Sequence, residues 1–245
     1  MTRRTFLLVP IALAAQPVAT VEVVWIKETT VPEEFARESV VFPRAYTCRP
    51  QFSPAHEPLE TGRFPHAPGG MRILSLIPAE ITIVTADAGD DEESPFEHSI
   101  RVPLAIRWPR KLAPRVADDI LISHADVLPT VLAWAGRAIP GDLPGRDLSA
   151  LIARHEGETP DSIYVEGKLG QKDEWRVVVR GFDKIVFNLQ EEVTHLFNLA
   201  DDPFELTNLA HDPAQKLKLA SLKAQLQAQM KKLSDGMDPS GLRRR

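Results

Sequence analysis

The side chains with the greatest chemical reach crowd one short stretch. Asp87, Asp90, Asp91, Glu92 and Glu93 follow the β-branched run Ile81 to Thr85. Carboxylate oxygens are the ligands that hard divalent cations take, and such ions need several at once. Asp90 and Asp91 read as solvated loop acids. The single cysteine, Cys48, excludes an internal disulfide and any site of clustered cysteines. It reads as a small buried thiol. His66, His98, His124 and His195 are scattered along the chain and read as structural or surface residues. The net charge of −5 has no long like-charge block, which argues against nucleic acid as a partner, since phosphate binding wants a basic face. Arg243, Arg244 and Arg245 read as a solvated end.

Two sets of elements would have to position these groups. From Val21 to Ile152, strand-like runs (Val21 to Ile26, Val40 to Phe42, Ile81 to Thr85, Leu104 to Trp108) alternate with helical segments, which predicts an α/β unit with a parallel sheet. Pro32 with Glu33 and Glu34 starts a short helix. Ser123-His124-Ala125-Asp126 opens another, ended by Gly136. From Asp161 the pattern changes to four short strands in close succession, with Gly181-Phe182-Asp183 as a hairpin turn. A helix over Pro213 to Ser234 follows, with Leu222, Leu226, Met230 and Leu233 on one face, predicting an antiparallel sheet covered by one helix. Residues 153–160 are the candidate linker. The expected division is therefore an export signal over 1–19, a partial α/β domain over 20–152 and an α+β subdomain over 161–235.

The export reading rests on Arg3 and Arg4, the apolar run Phe6 to Ala15, and the small residues Ala12, Ala14 and Ala19. Arg3-Arg4-Thr5-Phe6-Leu7 is similar to a twin-arginine signal. The expected location is periplasmic or secreted. The apolar run is too short for a permanent membrane span.

Four segments, in order, resemble the type I sulfatases of the alkaline-phosphatase-like superfamily. Ser53-Pro54 with Leu59-Glu60-Thr61-Gly62-Arg63 is similar to the signature C-x-P-S-R-x-x-L-x-T-G-R, preceded by its lead-in Glu38 to Thr47. Thr82 to Asp90 resembles the strand ending in D-H-G or D-N-G. Pro95-Phe96-Glu97-His98-Ser99-Ile100-Arg101-Val102-Pro103-Leu104 resembles P-Y-E-E-S-I-R-V-P-L, with the sequels His124 to Thr130 and Gly145 to Leu148. His195 to Leu199 and Asp202-Pro203-Phe204-Glu205-Leu206-Thr207-Asn208-Leu209 resemble L-Y-D-L-x-x-D-P-x-E-x-x-N-L.

The resemblance implies a fold, a chemistry and a defect. The fold is an incomplete alkaline-phosphatase/sulfatase-like sheet with a small C-terminal antiparallel subdomain, a truncated and degenerate version of the family. The family hydrolyses sulfate esters or sulfamates with a hydrated formylglycine, made from the signature cysteine or serine, beside a cation that is usually calcium. Leu59, Thr61 and Gly62 set the register, and the nucleophile position then falls on Phe52, the signature serine on Ala55 and the signature arginine on His56. Cys48-Arg49-Pro50 makes a second, weaker match, which fails because its arginine position is Phe52. Asp87 matches one metal aspartate, but its partner position is Ala88, and Lys27-Glu28-Thr29 stands where the first ligand pair belongs. The lysine expected before the third segment falls on Glu92 or Glu93, a charge reversal. Between Gly70 and Ile81 the family's long central stretch is reduced to about ten residues. Three readings follow: a non-catalytic family member, a binder of sulfated small molecules or glycans, and a residual sulfate or phosphate ester hydrolase. Calcium is expected by resemblance only, bound weakly or not at all.

Overall fold

The computed structural model describes residues 21–26, 30–50, 56–64, 77, 80–86 and 93–235, the side chains of 56 and 57 excepted. The chain runs β1 (Glu22–Ile26), α1 (Glu33–Ala36), β2 (Val40–Val41), β3 (Ala45–Tyr46), α2 (His56–Thr61), β4 (Thr82–Ala86), α3 (Glu97–Ile100), β5 (Arg101–Val102), β6 (Leu104–Arg107), β7 (Arg115–Val116), β8 (Ile122–Ser123), α4 (His124–Trp134) and α5 (Ser149–Arg154). There follow β9 (Ser162–Gly167), β10 (Trp175–Arg180), β11 (Asp183–Asn188), β12 (Val193–Asn198) and α6 (Lys216–Leu233). The expected export signal over 1–19 lies outside the described residues. No described helix is long and apolar enough to cross a membrane.

The N-terminal elements form two sheets. One has five strands in the order β1-β4-β6-β2-β7, the other three in the order β5-β3-β8. The five-stranded sheet is mixed, which corrects the expectation of a parallel one. β1 pairs with β4, and β2 with β7, in parallel, whereas β6 is antiparallel to both β4 and β2. A parallel pair needs a crossover that packs back on its own sheet. Among the described residues between β4 and β6 the chain makes the four-residue α3 and then β5, which pairs with β3 in the other sheet. The chain therefore re-enters beside β4 in the opposite direction.

α4 is well specified. The Ser123 hydroxyl accepts from the Ala125 amide while the Asp126 carboxylate accepts from the Ser123 amide, a reciprocal cap worth about 1 kcal/mol. α5 runs through Arg154 and ends on His155 in the left-handed conformation, so the link to the next sheet is shorter than residues 153–160.

In the C-terminal sheet the strands lie in the order β12-β11-β10-β9, every neighbour antiparallel. Val177, Val178 and Val179 are all fully buried, because the sheet is covered on both faces. Alternate residues sort the two sides. Tyr164, Val178, Ile185, Phe187 and Leu196 meet Leu222, Leu226 and Met230 of α6, the face expected for that helix. Ile163, Val165, Trp175, Val177 and Val186 pack instead on Tyr46, Ile100 and Leu121 of the N-terminal elements. The architecture is mixed α/β with a C-terminal antiparallel sheet.

Candidate functional site

The anchors of the signature segment are ordered by packing. Leu59 in α2 is fully buried and Thr61 nearly so. Gly62 closes the helix: its amide donates to the Pro58 carbonyl at 2.9 Å, and its φ of +69° is the left-handed value that favours glycine at a helix end. A Cβ there would come within 3.3 Å of Leu128 and of Leu143, so the glycine also lets α2 lie close against α4. Arg63 pairs with Asp142. The residues preceding these anchors, Phe52 and Ala55 among them, lie outside the described residues; His56 opens α2, and nothing is described of its side chain. Asp87 and Ala88 are also outside, as are Asp90, Asp91, Glu92 and His66. The strand ends that lead to two of the ligand positions are described: Ile26 of β1 pairs with Ala86 of β4. The next residues in sequence are Lys27 and Asp87.

Cys48 is a structural thiol, as its sequence context suggested. It is fully buried, its Sγ lies 3.3 Å from Ser123 Oγ, and burial pushes the thiol up to about 12. A nucleophilic thiol needs the opposite surroundings, electropositive and partly open.

Glu93, one of the two acids that the resemblance sets at the expected lysine position, is buried and fully engaged. Arg49 donates to it through Nε at 3.1 Å and Nη2 at 3.2 Å, a two-pronged pairing, and the Lys168 amide donates to Oε2 at 2.9 Å. The Trp175 indole donates to the Glu93 carbonyl at 2.9 Å. Glu93 thus ties the stretch before α3 to the β9–β10 turn.

The described histidines divide by surroundings. His124 is fully buried, with Nε2 3.0 Å from Thr85 Oγ1. That hydroxyl donates to the Pro103 carbonyl at 2.9 Å, so Nε2 is the donor in the contact. His98 is exposed and stacks on Phe96, while His195 is half-buried against Phe96 and Phe197. Burial, and then the Lys184 charge, lower the His195 pKa.

A groove of about 570 Å³ opens between the N-terminal elements, the β10–β11 turn and α6. Arg44, Arg180 and Lys218 line it, with Phe182, which lies under the Arg44 guanidinium. Asp119, Asp161 and Asp183 line it too, leaving no net positive charge to gather a sulfate.

Two buried charge clusters escaped sequence reasoning. Arg176 of β10 lies among Glu166, Glu174 and Asp235. Lys184 of β11 reaches Glu97 and Glu205. Each signal was a lone cation inside an apolar strand, Arg176 before three valines and Lys184 before Ile-Val-Phe. Asp126 takes a third pairing, Arg146 Nη2 to Oδ2 at 2.6 Å; Gly145 permits it, because a Cβ there would lie 2.0 Å from the Ala125 carbonyl oxygen.

Comparison with known proteins accords with this geometry. The family described as N-sulphoglucosamine sulphohydrolase, C-terminal, matches residues 91–234. An endo-4-O-sulfatase of Bacteroides thetaiotaomicron is 33% identical over 97 residues, 38% of this chain and 19% of the relative. Arylsulfatase A of Bos taurus is 31% identical over 137 residues, 44% of this chain and 27% of the relative. A structure solved in complex with its substrate, D-glucosamine-2-N,6-O-disulfate, superimposes with a TM-score of 0.58 at 19% identity, over 71% of this chain and 38% of the other; that likeness establishes the fold alone. The chain spans well under half the length of each of these proteins. With the family match covering more than half of its residues, this chain belongs to the sulfatases of the alkaline-phosphatase-like fold, through the C-terminal region of the N-sulphoglucosamine sulphohydrolase family.

Proposed function

We propose that this chain is a sulfatase-family protein that does not hydrolyse sulfate esters or sulfamates. The observation that carries this reading is Phe52. With Leu59, Thr61 and Gly62 matching the signature, the nucleophile position holds a benzyl side chain, which cannot become an aldehyde hydrate. Cys48 offers no substitute, being buried with its thiol held protonated. The expected lysine position holds Glu92 or Glu93, and Glu93 is engaged by Arg49, so neither supplies the cation a sulfate would need there.

Calcium does not fit the donor set. Such an ion wants six to eight oxygens. Asp87 is the one matched ligand, and Ile26 and Ala86, paired at the strand ends, lead into Lys27-Glu28-Thr29 and Asp87-Ala88, one of whose side chains is a cation.

The ligand class that the relatives' names support is a sulfated small molecule or glycan, met without turnover. The 1–19 pattern supports a periplasmic or secreted location, and mass spectrometry of the exported protein would then find a new N-terminus near Val18 to Val21. The division at 20–152 and 161–235 follows the change in sheet type.

The deciding experiment measures aryl sulfate turnover by the pure wild-type protein with calcium, beside Phe52→Cys co-expressed with a formylglycine-generating enzyme. Neither should exceed buffer. Phe52→Cys alone leaves the metal site unmade and Ala55 and His56 in place of serine and arginine, and groups that act as a unit are not recovered by single repairs. Calcium-dependent turnover by the wild-type protein would overturn the reading.

A further inference from the structure

Lys184, Glu97 and Glu205 come from three separate places in the chain and meet where the C-terminal sheet packs on the N-terminal elements. Lys184 is fully buried in β11; the side chains of Glu97 and Glu205 are 11% and 4% exposed. Lys184 Nζ lies 3.2 Å from Glu97 Oε1 and 2.6 Å from Glu205 Oε1. Glu205 Oε2 also accepts from the Glu97 amide at 2.6 Å, and the Tyr46 hydroxyl donates to Glu97 Oε2 at 3.1 Å.

The charges do not close. One ammonium faces two carboxylates, so the fully ionised cluster carries a net negative charge away from water, an expensive state unless a proton neutralises it. Of the two carboxylates, Glu205 is the more deeply buried and so the better placed to take that proton, with Lys184 Nζ at Oε1 and the Glu97 amide at Oε2 as its partners. The remaining titratable neighbours do not supply the missing charge. His195, on β12, is itself disfavoured as a cation by burial and by Lys184. Tyr46, on β3, is held neutral chiefly by burial. Arg44 and Arg101 act on Tyr46, but each bonds a backbone carbonyl, Arg44 to Gly181 and Arg101 to Pro43.

We propose that Lys184, Glu97 and Glu205 form a one-proton clasp between the C-terminal sheet and α3, tightest in mildly acidic solution and loosened as the proton leaves. Burial raises the Glu205 pKa above the usual glutamate range, against the opposing pull of Lys184. The sign follows: a carboxyl that holds its proton more firmly when folded stabilises the fold below its unfolded pKa, and that stability is lost as pH rises through the folded pKa. Glu205 sits at φ +57°, in a loop whose neighbours Phe204 and Leu206 are exposed, so the clasp is what draws this loop inward.

The test uses the full chain. Carbon-13 carboxyl NMR of the wild-type protein should show Glu205 titrating above the usual glutamate range. Urea unfolding of wild type and Glu205→Gln, compared from pH 4.5 to 7.5, isolates the one group. Glu205→Gln, which keeps the acceptor and drops the titration, should gain on wild type as pH rises, with the ratio of their unfolding constants changing by up to tenfold per pH unit inside the window. A Glu205 that titrates in or below the usual range, or a variant whose difference from wild type is flat with pH, would overturn the proposal.

Discussion

In the C-terminal sheet, β9, β10, β11 and β12 lie side by side in the order the chain makes them, and each pairing runs five or six residues. In the five-stranded sheet β1 finds its partner in β4, with Glu22 opposite Thr82, and β2 holds its neighbours through two-residue pairings. The first sheet closes short loops and is stabilised by contacts near in sequence. The second closes long ones and depends on residues that arrive from far along the chain. The family match at residues 91–234 takes in all of the first sheet but neither β1 nor β4 of the second. The positions to which the family resemblance assigns chemistry, Phe52 and Asp87, precede α2 and follow β4 in sequence and lie outside that match.

Measurements at four residues would break or sharpen this contrast. The largest effect should come from Arg176→Met. Removing the guanidinium leaves Glu166, Glu174 and Asp235 buried together, and breaking a buried ionic cluster from one side costs about 3–5 kcal/mol in urea unfolding. A loss near zero would mean that the C-terminal sheet does not depend on its charge core. Leu226→Ala, which opens a cavity under α6, should cost about 2–5 kcal/mol, because Leu226 is fully buried between the helix and the sheet.

Ser123→Ala should cost about 1 kcal/mol by removing the α4 cap, and it should also release Cys48 from its hydroxyl neighbour. The smallest effect near neutral pH belongs to Cys48 itself. Its folded thiol is raised to about 12 by burial, so stability is unaffected well below the ordinary thiol range and declines as pH rises from there toward 12. Comparing wild type with Cys48→Ala at pH 8 and pH 10 checks the sign: the alanine variant should lose less on going to pH 10. Native-state alkylation of Cys48 at pH 8 should be slow, and fast labelling would place this thiol at the surface.

The C-terminal sheet was legible because each of its strands is a short β-branched run bounded by turn residues, and because the helix repeats its apolar positions every fourth residue at Leu222, Leu226 and Met230. The N-terminal strands were found as well, but their direction was not. A run such as Leu104 to Arg107 has the same side-chain pattern whichever way it lies beside β4, so the mixed sheet could not be read from it. At the candidate site, the resemblance put Phe52 at the expected nucleophile position and Glu92 or Glu93 at the expected lysine position. Only the fold showed what Glu93 does, which is to bind Arg49 and the Lys168 amide across the interface.

By itself the sequence determined residue identity at fixed register: the family motifs, a phenylalanine at the expected nucleophile position, the single thiol and the apolar face of the last helix. Those are local properties, set by spacing along one segment. Tertiary structure alone decided which charges share a buried space. Lys184, Glu97 and Glu205 come from three separate segments, and Arg176 lies 59 positions from the Asp235 it binds. A buried ion must find compensation in whatever the fold brings beside it. That pairing is a property of how the sheets pack together, and no single segment carries it.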